Sequence, residues 1–273
     1  MAVTVKAVIL ARGLGTRMRR ADAGARLDAV QARVADGGVK AMIPVGTGRP
    51  FLDHAISRLA DAGITQVCLV IGPEHDAIRS YYGALPTRRV RIGFATQPSA
   101  NGTAGAVAAA ESFAGADTVL VMNGDNCYPV DACRALAHLG ASGTVGFDLH
   151  GLVSRSNIPE ERLRQFALLQ RDADGWLTGI IEKPDPNTYA SLLAQSMISM
   201  NLWSFTPAIY DACRRVTPSV RGELELQDAV RIAMTQLGER FCVLESTDGV
   251  LDLSTRGDIE SVASVLQDRP VDL

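Results

Sequence analysis

Two glycines set among arginines carry the first chemistry of this chain. In VKAVILARGLGTRMRR (5–20), a short apolar run through Val5, Ala7, Val8, Ile9 and Leu10 delivers Gly13 and Gly15 beside Arg12, Arg17, Arg19 and Arg20. Glycine lets a backbone approach an anion closely and reach angles that a β-carbon forbids. Successive amide N–H groups at such a turn, near a helix start, form a nest for phosphate. Arg17 follows at once and Lys40 stands in VKAMIPV, so main-chain dipoles and side-chain cations are both on hand for a polyphosphate. A dinucleotide fingerprint is a poor match, because Met18 stands where GxGxxG needs its third glycine, and no GK[ST] marks a P-loop. Taken alone, the glycines could form a plain structural turn, and Arg17 and Lys40 could be solvated charges; Arg19 and Arg20 read as surface charges.

Such a loop needs a buried strand behind it. VKAVIL, QVCLVIG (66–72), RVRIGFA (89–95) and DTVLVMNGD (117–125) read as strands, rich in Val, Ile and Leu and closed by Gly or polar residues. Between them, 50–63 places Leu52, Ala55, Ile56 and Leu59 on one helical face and stops at Gly63, and 102–115 reads as one helix of small residues. This alternation predicts a parallel, doubly wound α/β sheet with right-handed crossovers. After residue 145 the rhythm loosens: FALLQRD, GWLTGIIEKP, SMISMNLWSF and RFCVLES read as strands, with helices near 207–216, 224–238 and 255–267. No internal repeat or low-complexity linker interrupts 1–273, which reads as a single domain.

Composition removes several function classes. With 47% apolar residues over 273, the chain can bury a full core. A net charge of −3 gives no electrostatic case for nucleic-acid binding, and no apolar run reaches the roughly 18 residues of a membrane span. No signal-peptide pattern opens the chain. Five cysteines without a CxxC pair suit reduced thiols, hence a cytoplasmic setting. Four scattered histidines lack metal-ligand spacing.

LARGLGTRMR followed by VKAMIPVGTGRPFLDHAI resembles the signature of the sugar-1-phosphate nucleotidylyltransferases, also called nucleoside-diphosphate-sugar pyrophosphorylases. The similarity continues in order through QPSANGTAGAV (97–107), NGDN (123–126), IIEKPD (180–185), SMNLWSF (199–205), GELELQDAV (222–230) and LDLSTRGDI (251–259). It implies a doubly wound, mostly parallel, Rossmann-like mixed sheet of the GT-A-like nucleotidyltransferase kind. It also implies a nucleotide-binding half over about 1–145 and a sugar-phosphate-binding half over about 146–273. The implied reaction is attack of a sugar-1-phosphate oxygen on the α-phosphorus of an NTP, with pyrophosphate leaving. Both reactants are anionic, so charge neutralisation and in-line positioning are the main tasks.

By this resemblance Leu10, Gly13, Gly15 and Thr16 form the nucleotide loop, and Arg17 and Lys40 hold the phosphates and the departing pyrophosphate. Gln97, Gly102 and Thr103 contact the base and its loop. Lys183 grips the sugar phosphate, while Glu182 and Asn201 bind sugar hydroxyls unless they are satisfied strand-edge polar groups. Asp125, at the end of a buried strand, and Asp252 hold Mg²⁺, which takes hard oxygen ligands and needs only one or two carboxylates beside substrate phosphates. Turn chemistry for Asp125 and a cap region for Asp252 are the bland alternatives. Glu223 matches a position near the sugar, but a helix start favours Glu for dipole reasons alone.

Four departures from the family pattern stand out. Arg12 replaces a small residue, Val39 replaces a proline, and Asp252 is followed by Leu-Ser. The link from Arg19 to Val39 is also long, and its LDAVQARVAD spacing suits either a helical lid or a surface insertion. Two other classes compete with the enzyme. A non-catalytic, nucleotide-sugar-binding relative would be expected to have lost Arg17, Lys40, Asp125 or Lys183, and an NAD-dependent Rossmann enzyme lacks its third glycine. The base, the sugar and any homo-oligomer stay open, and without hexapeptide repeats no acyltransferase domain is expected.

Overall fold

The computed structural model describes residues 3–22 and 24–273. Strands β1 (Lys6–Leu10), β2 (Gln66–Ile71), β3 (Arg91–Thr96) and β4 (Val119–Asn123) lie in the order β3-β2-β1-β4, every neighbour parallel. Alternate side chains go to opposite faces of a strand. Ala7, Ile9, Val67, Leu69, Leu120 and Met122 therefore enter one core, with the helices Phe51–Asp61 and Val130–Leu139. Val8, Cys68, Val70, Val119 and Val121 enter the other, against the helices Thr103–Ala109, Ala208–Arg215 and Leu226–Gln236. Both faces are covered, which is why β1, β2 and β4 are apolar between their ends.

Beyond β4 a short strand β5 (Asn126–Cys127) leads to β6 (Gly143–Phe147), β7 (Leu168–Arg171), β8 (Leu177–Ile181) and the nine-residue β9 (Met197–Phe205). Strand β9 joins the two halves, pairing antiparallel with β4, β6 and β7, while β8 pairs with β7. A parallel strand β10 (Cys242–Ser246) closes that side on β6. The sheet is therefore mixed, with its parallel portion under the glycine loop. A last strand, β11 (Leu251–Asp252), pairs antiparallel with β5. Among the described residues no helix is long and apolar enough to cross a membrane.

One expectation needs correction, and one open alternative takes definite form. The segment 102–115 is two helices, Thr103–Ala109 and Glu111–Ala114, because Ala110 leaves helical angles and its N–H bonds Val107 three residues back (3.0 Å). The long link holds a docked helix, Ala29–Gly37, capped by Asp28 and Gln31 in a capping box. Buried Ala35 packs with Met18, Ile43 and Phe51 in a third core, Gln31 Nε2 donates to the Pro44 carbonyl (2.9 Å), and Asp36 pairs with Arg256. The helix belongs to the body of the protein.

Candidate active site

Because β1 and β4 are parallel neighbours, their carboxyl ends deliver Gly13 and Asp125 to one edge of the sheet, where ligands sit in open α/β folds. An open cleft of about 370 Å³ lies there. Leu10, Gly13, Thr16, Lys40, Gln97, Gly102, Thr103 and Asp125 line it, together with Arg12, His75 and Glu223. The amides of Gly13, Leu14 and Gly15 donate to no carbonyl among the described residues, so the loop presents free N–H groups.

Gly15 turns this loop in the left-handed region at φ 61°, and a β-carbon there would lie 2.0 Å from the Gly38 carbonyl oxygen. The docked helix thus ends against the glycine loop and leads straight into Lys40. The Lys40 side chain runs beneath Gly13, with Cε 3.5 Å from where a Gly13 β-carbon would stand, and its ammonium pairs with Asp125. Gly15→Ala combines backbone strain of roughly 1–3 kcal/mol with this clash. It is expected to lower Tm by roughly 5 °C and to weaken triphosphate binding at least tenfold by calorimetry; unchanged binding would show that the loop holds no phosphate.

Asp252 comes alongside through the β5–β11 ladder. It sits opposite Asn126, whose Nδ2 donates to Asp252 Oδ1 (3.0 Å), and the Leu253 N–H donates to the Asp125 carbonyl (2.9 Å). Asp252 is 3% exposed, and its Oδ2 accepts no hydrogen bond among the described residues. Arg162 Nη2 lies 3.4 Å from that oxygen but spends its hydrogen bonds on Asp258 (2.9 and 3.0 Å). Burial pushes the Asp252 carboxyl up to about 6, and the adjacent Asp125 charge adds to the shift. An orphaned buried oxygen beside a second carboxylate is a donor set that a hard divalent cation fits.

A carboxyl with a raised folded pKa adds stability below its ordinary pKa and loses it as pH rises through the folded value. In EDTA the protein is therefore expected to lose stability between about pH 4 and 6 on this account. Asp252→Asn should remove that loss and raise Tm at pH 7.5 by several degrees, read by circular dichroism. A lower Tm for the variant would contradict the burial cost assigned to the Asp252 charge.

Gln97 is 4% exposed and faces the cleft. Its Nε2 donates to Asn101 Oδ1 (2.8 Å) and to the Gly102 carbonyl (2.9 Å). A carbonyl can only accept, so the amide orientation is fixed and its oxygen is left without a partner among the described residues. Gly102, at φ 111°, lies so close to Leu224 that a β-carbon would meet its backbone at 2.5 Å. Thr103 Oγ1 accepts the Leu226 N–H (2.9 Å), which holds the GELELQ segment against the cleft. Glu223 lines the cleft before the helix begins at Leu226, so its position is not that of a first-turn dipole partner.

The remaining expected residues lie on the later strands. Lys183 (φ 41°) and Asn201 (φ 58°) are the two non-glycine residues with positive φ among those described. Such angles are uncommon outside glycine and cost energy that the surroundings must offset. Asn201 sits where the β9 register shifts against β6, and its Oδ1 accepts from Gln227 Nε2 (3.1 Å). Lys183 is exposed, just past β8. Glu182 keeps a buried, unpartnered Oε1, and burial, then the Glu225 charge, holds its carboxyl above the usual range against the pull of Lys183. Arg17 is exposed one step beyond the loop and makes no ion pair or side-chain hydrogen bond among the described residues.

Arg17, Gly15, Glu182, Lys183, Asn201 and Asp252 are thus not lining residues of the cleft itself. Sequence reasoning missed Arg162, Asn101, Gln227 and Tyr128, whose hydroxyl donates to the Met200 carbonyl beside Asn201 (2.6 Å). Asn101 and Gln227 lie inside quoted motifs, 97–107 and 222–230, as Asn126 does inside NGDN, whereas Arg162 and Tyr128 stand in none.

The profile of the nucleotidyl transferase family matches residues 23–266. The chain is 30% identical over 229 residues to the low-salt glycan biosynthesis nucleotidyltransferase Agl11 of Haloferax volcanii, a match covering 83% of this chain and 56% of that protein. It is 25% identical over 264 residues to the UTP–glucose-1-phosphate uridylyltransferase AglF of the same organism, covering 97% of both. Its fold matches the crystal structure of a UDP-glucose pyrophosphorylase complexed with UDP-glucose, with a TM-score of 0.74 at 16% identity, over 98% of this chain and 100% of that one. The chain belongs to the sugar-1-phosphate nucleotidylyltransferase family within the nucleotidyl transferases. It spans just over half the length of Agl11.

Proposed function

We propose that this protein transfers a nucleotidyl group from an NTP to a sugar-1-phosphate, giving an NDP-sugar and pyrophosphate. The observation that carries this reading is the convergence of free loop amides, Lys40 and the Asp125–Asp252 pair at one sheet edge. Two anions must meet for the reaction, and this edge collects the opposing charge. The amides of Gly13 to Gly15, Thr16 and Arg17 hold the β- and γ-phosphates, and Lys40 swings from Asp125 to the pyrophosphate as it leaves. Asp125 and Asp252 hold Mg²⁺, which neutralises charge at the α-phosphate when bound. Lys183 orients the sugar phosphate for in-line attack, and Glu182 and Asn201, held by Gln227, bind sugar hydroxyls. The nucleotide is bound by about 1–145 and the sugar phosphate by about 146–273, in the cytoplasm.

Gln97 narrows the choice of base. With both amide hydrogens committed, Gln97 offers a ligand only an acceptor. An acceptor matches the imino N–H of uracil, thymine or guanine and opposes the bare ring nitrogen of cytosine or adenine. Relatives named for UTP and glucose-1-phosphate agree with this choice. A pyrophosphate-release screen of UTP, dTTP, GTP, CTP and ATP against common sugar-1-phosphates tests it. Turnover is expected with UTP or dTTP and a hexose-1-phosphate; no turnover with any pair would favour a non-catalytic binding protein.

A further inference from the structure

Arg12 stands in the glycine loop where small residues are usual, and its side chain is only 8% exposed. All three faces of its guanidinium are used. Nε and Nη2 fork onto the two carboxylate oxygens of Glu74 (3.0 and 3.1 Å), and Nη1 donates to the main-chain carbonyl of Gln97. A planar fork of this kind fixes geometry as well as charge. The arrangement therefore ties three separate segments together: the phosphate loop, the turn after β2 and the turn after β3.

The sequence makes room for this fork. A β-carbon on Gly72 would lie 2.2 Å from Glu74 Oε1 and 2.3 Å from Arg12 Nε. Gly72 is not among the glycines with positive φ, so the glycine is needed for the space the ion pair fills. Next to the fork, His75 Nδ1 accepts the Gly72 N–H (3.0 Å), and its ring lines the cleft. Burial lowers the His75 pKa, in keeping with a neutral accepting ring.

We propose that Arg12 is a positioning residue for base selection: by clamping the Gln97 carbonyl to Glu74 across Gly72, it fixes the Gln97 side chain with its amide oxygen toward the base. The proposal rests on the nucleotidyltransferase reading above. Glu74 is half-exposed, so its pair with Arg12 is partly screened by solvent and adds little to stability by itself; the expected effect lies in binding geometry. The side-chain hydrogen bonds of Arg12 among the described residues all go to Glu74 and the Gln97 carbonyl.

The test is a double-mutant cycle on R12A and G72A, with R12K as the conservative variant, measured with UTP, dTTP and CTP in the presence of Mg²⁺. R12A is expected to raise KM for the preferred NTP about tenfold and to narrow its preference over CTP by a similar factor. KM for the sugar-1-phosphate and kcat should stay within about twofold, and R12K should recover part of the loss. G72A breaks the fork without deleting a charge, so it should give the same split, and the double variant should be no worse than either single one. Calorimetric binding of UTP and circular dichroism accompany each variant, so a folding defect registers as lost ellipticity. An unchanged NTP KM in R12A, equal damage to all parameters, or additive effects of R12A and G72A would overturn the clamp. Failure of the unmutated protein to bind or turn over any NTP would instead overturn the nucleotidyltransferase reading, and the clamp with it.

Discussion

Replacing Asp125 by alanine is expected to lower kcat about a thousandfold while leaving the fold intact. The carboxylate pairs with Lys40 and places its charge near Asp252 at the edge where β1 and β4 end. In the proposed reaction, removing it takes away a divalent-ion ligand and frees Lys40 at the same time, and a loss of about 10²–10³ follows when one preorganised charge contact in a transition state is deleted. Fold should survive, because the Asp125 main-chain carbonyl still accepts from Leu253 and the side chain's bond is to Lys40 alone. Asp125→Asn should fail nearly as badly, since it keeps the shape and loses the charge. Steady-state kinetics over a Mg²⁺ titration, with circular dichroism on the same samples, checks this. Near-normal rates in the alanine variant would remove Asp125 from the chemistry.

The second large effect belongs to Lys183. Its left-handed backbone projects an exposed ammonium past β8, next to Glu182 with its orphaned oxygen. If this cation holds the sugar phosphate, Lys183→Ala should reduce kcat/KM for the sugar-1-phosphate about 10²–10³-fold and leave NTP affinity within about twofold. Binding of UTP alone, measured by calorimetry, separates the two substrates. Equal damage to both would show that Lys183 is a structural or general electrostatic residue.

The parts of the site that could be read from the sequence are those whose signal is local. A buried apolar run followed by Gly13, Gly15 and Arg17 is continuous in the chain, and a strand ending in Gly-Asp must carry Asp125 to the carboxyl edge. Strand β6 was not legible, because Gly143 and Gly146 look like turn residues. In the structure they are small because neighbours leave no space: a β-carbon at Gly143 would lie 2.5 Å from Leu139 Cδ2, and one at Gly146 2.7 Å from Met197 Cβ. The supporting residues were hidden for a different reason. Arg162 meets Asp258 and Gln227 meets Asn201 only after distant segments pack; Arg162 stands in no motif, and Gln227 lies inside GELELQDAV without any mark of its partner. The helix Ala29–Gly37 shows in its spacing and its Asp28 cap, whereas its docking through Gly38 onto Gly15 depends on tertiary contact alone.

The most direct measurement is a crystal structure with a non-hydrolysable UTP analogue and Mn²⁺ in place of Mg²⁺, collected for anomalous signal. One anomalous peak should fall between the carboxylates of Asp125 and Asp252, with the triphosphate along the amides of Gly13 to Gly15 and the Lys40 ammonium drawn onto it. A peak elsewhere, or a nucleotide bound with Lys40 still on Asp125 and the loop amides empty, would contradict a charge-collecting rim as the seat of catalysis.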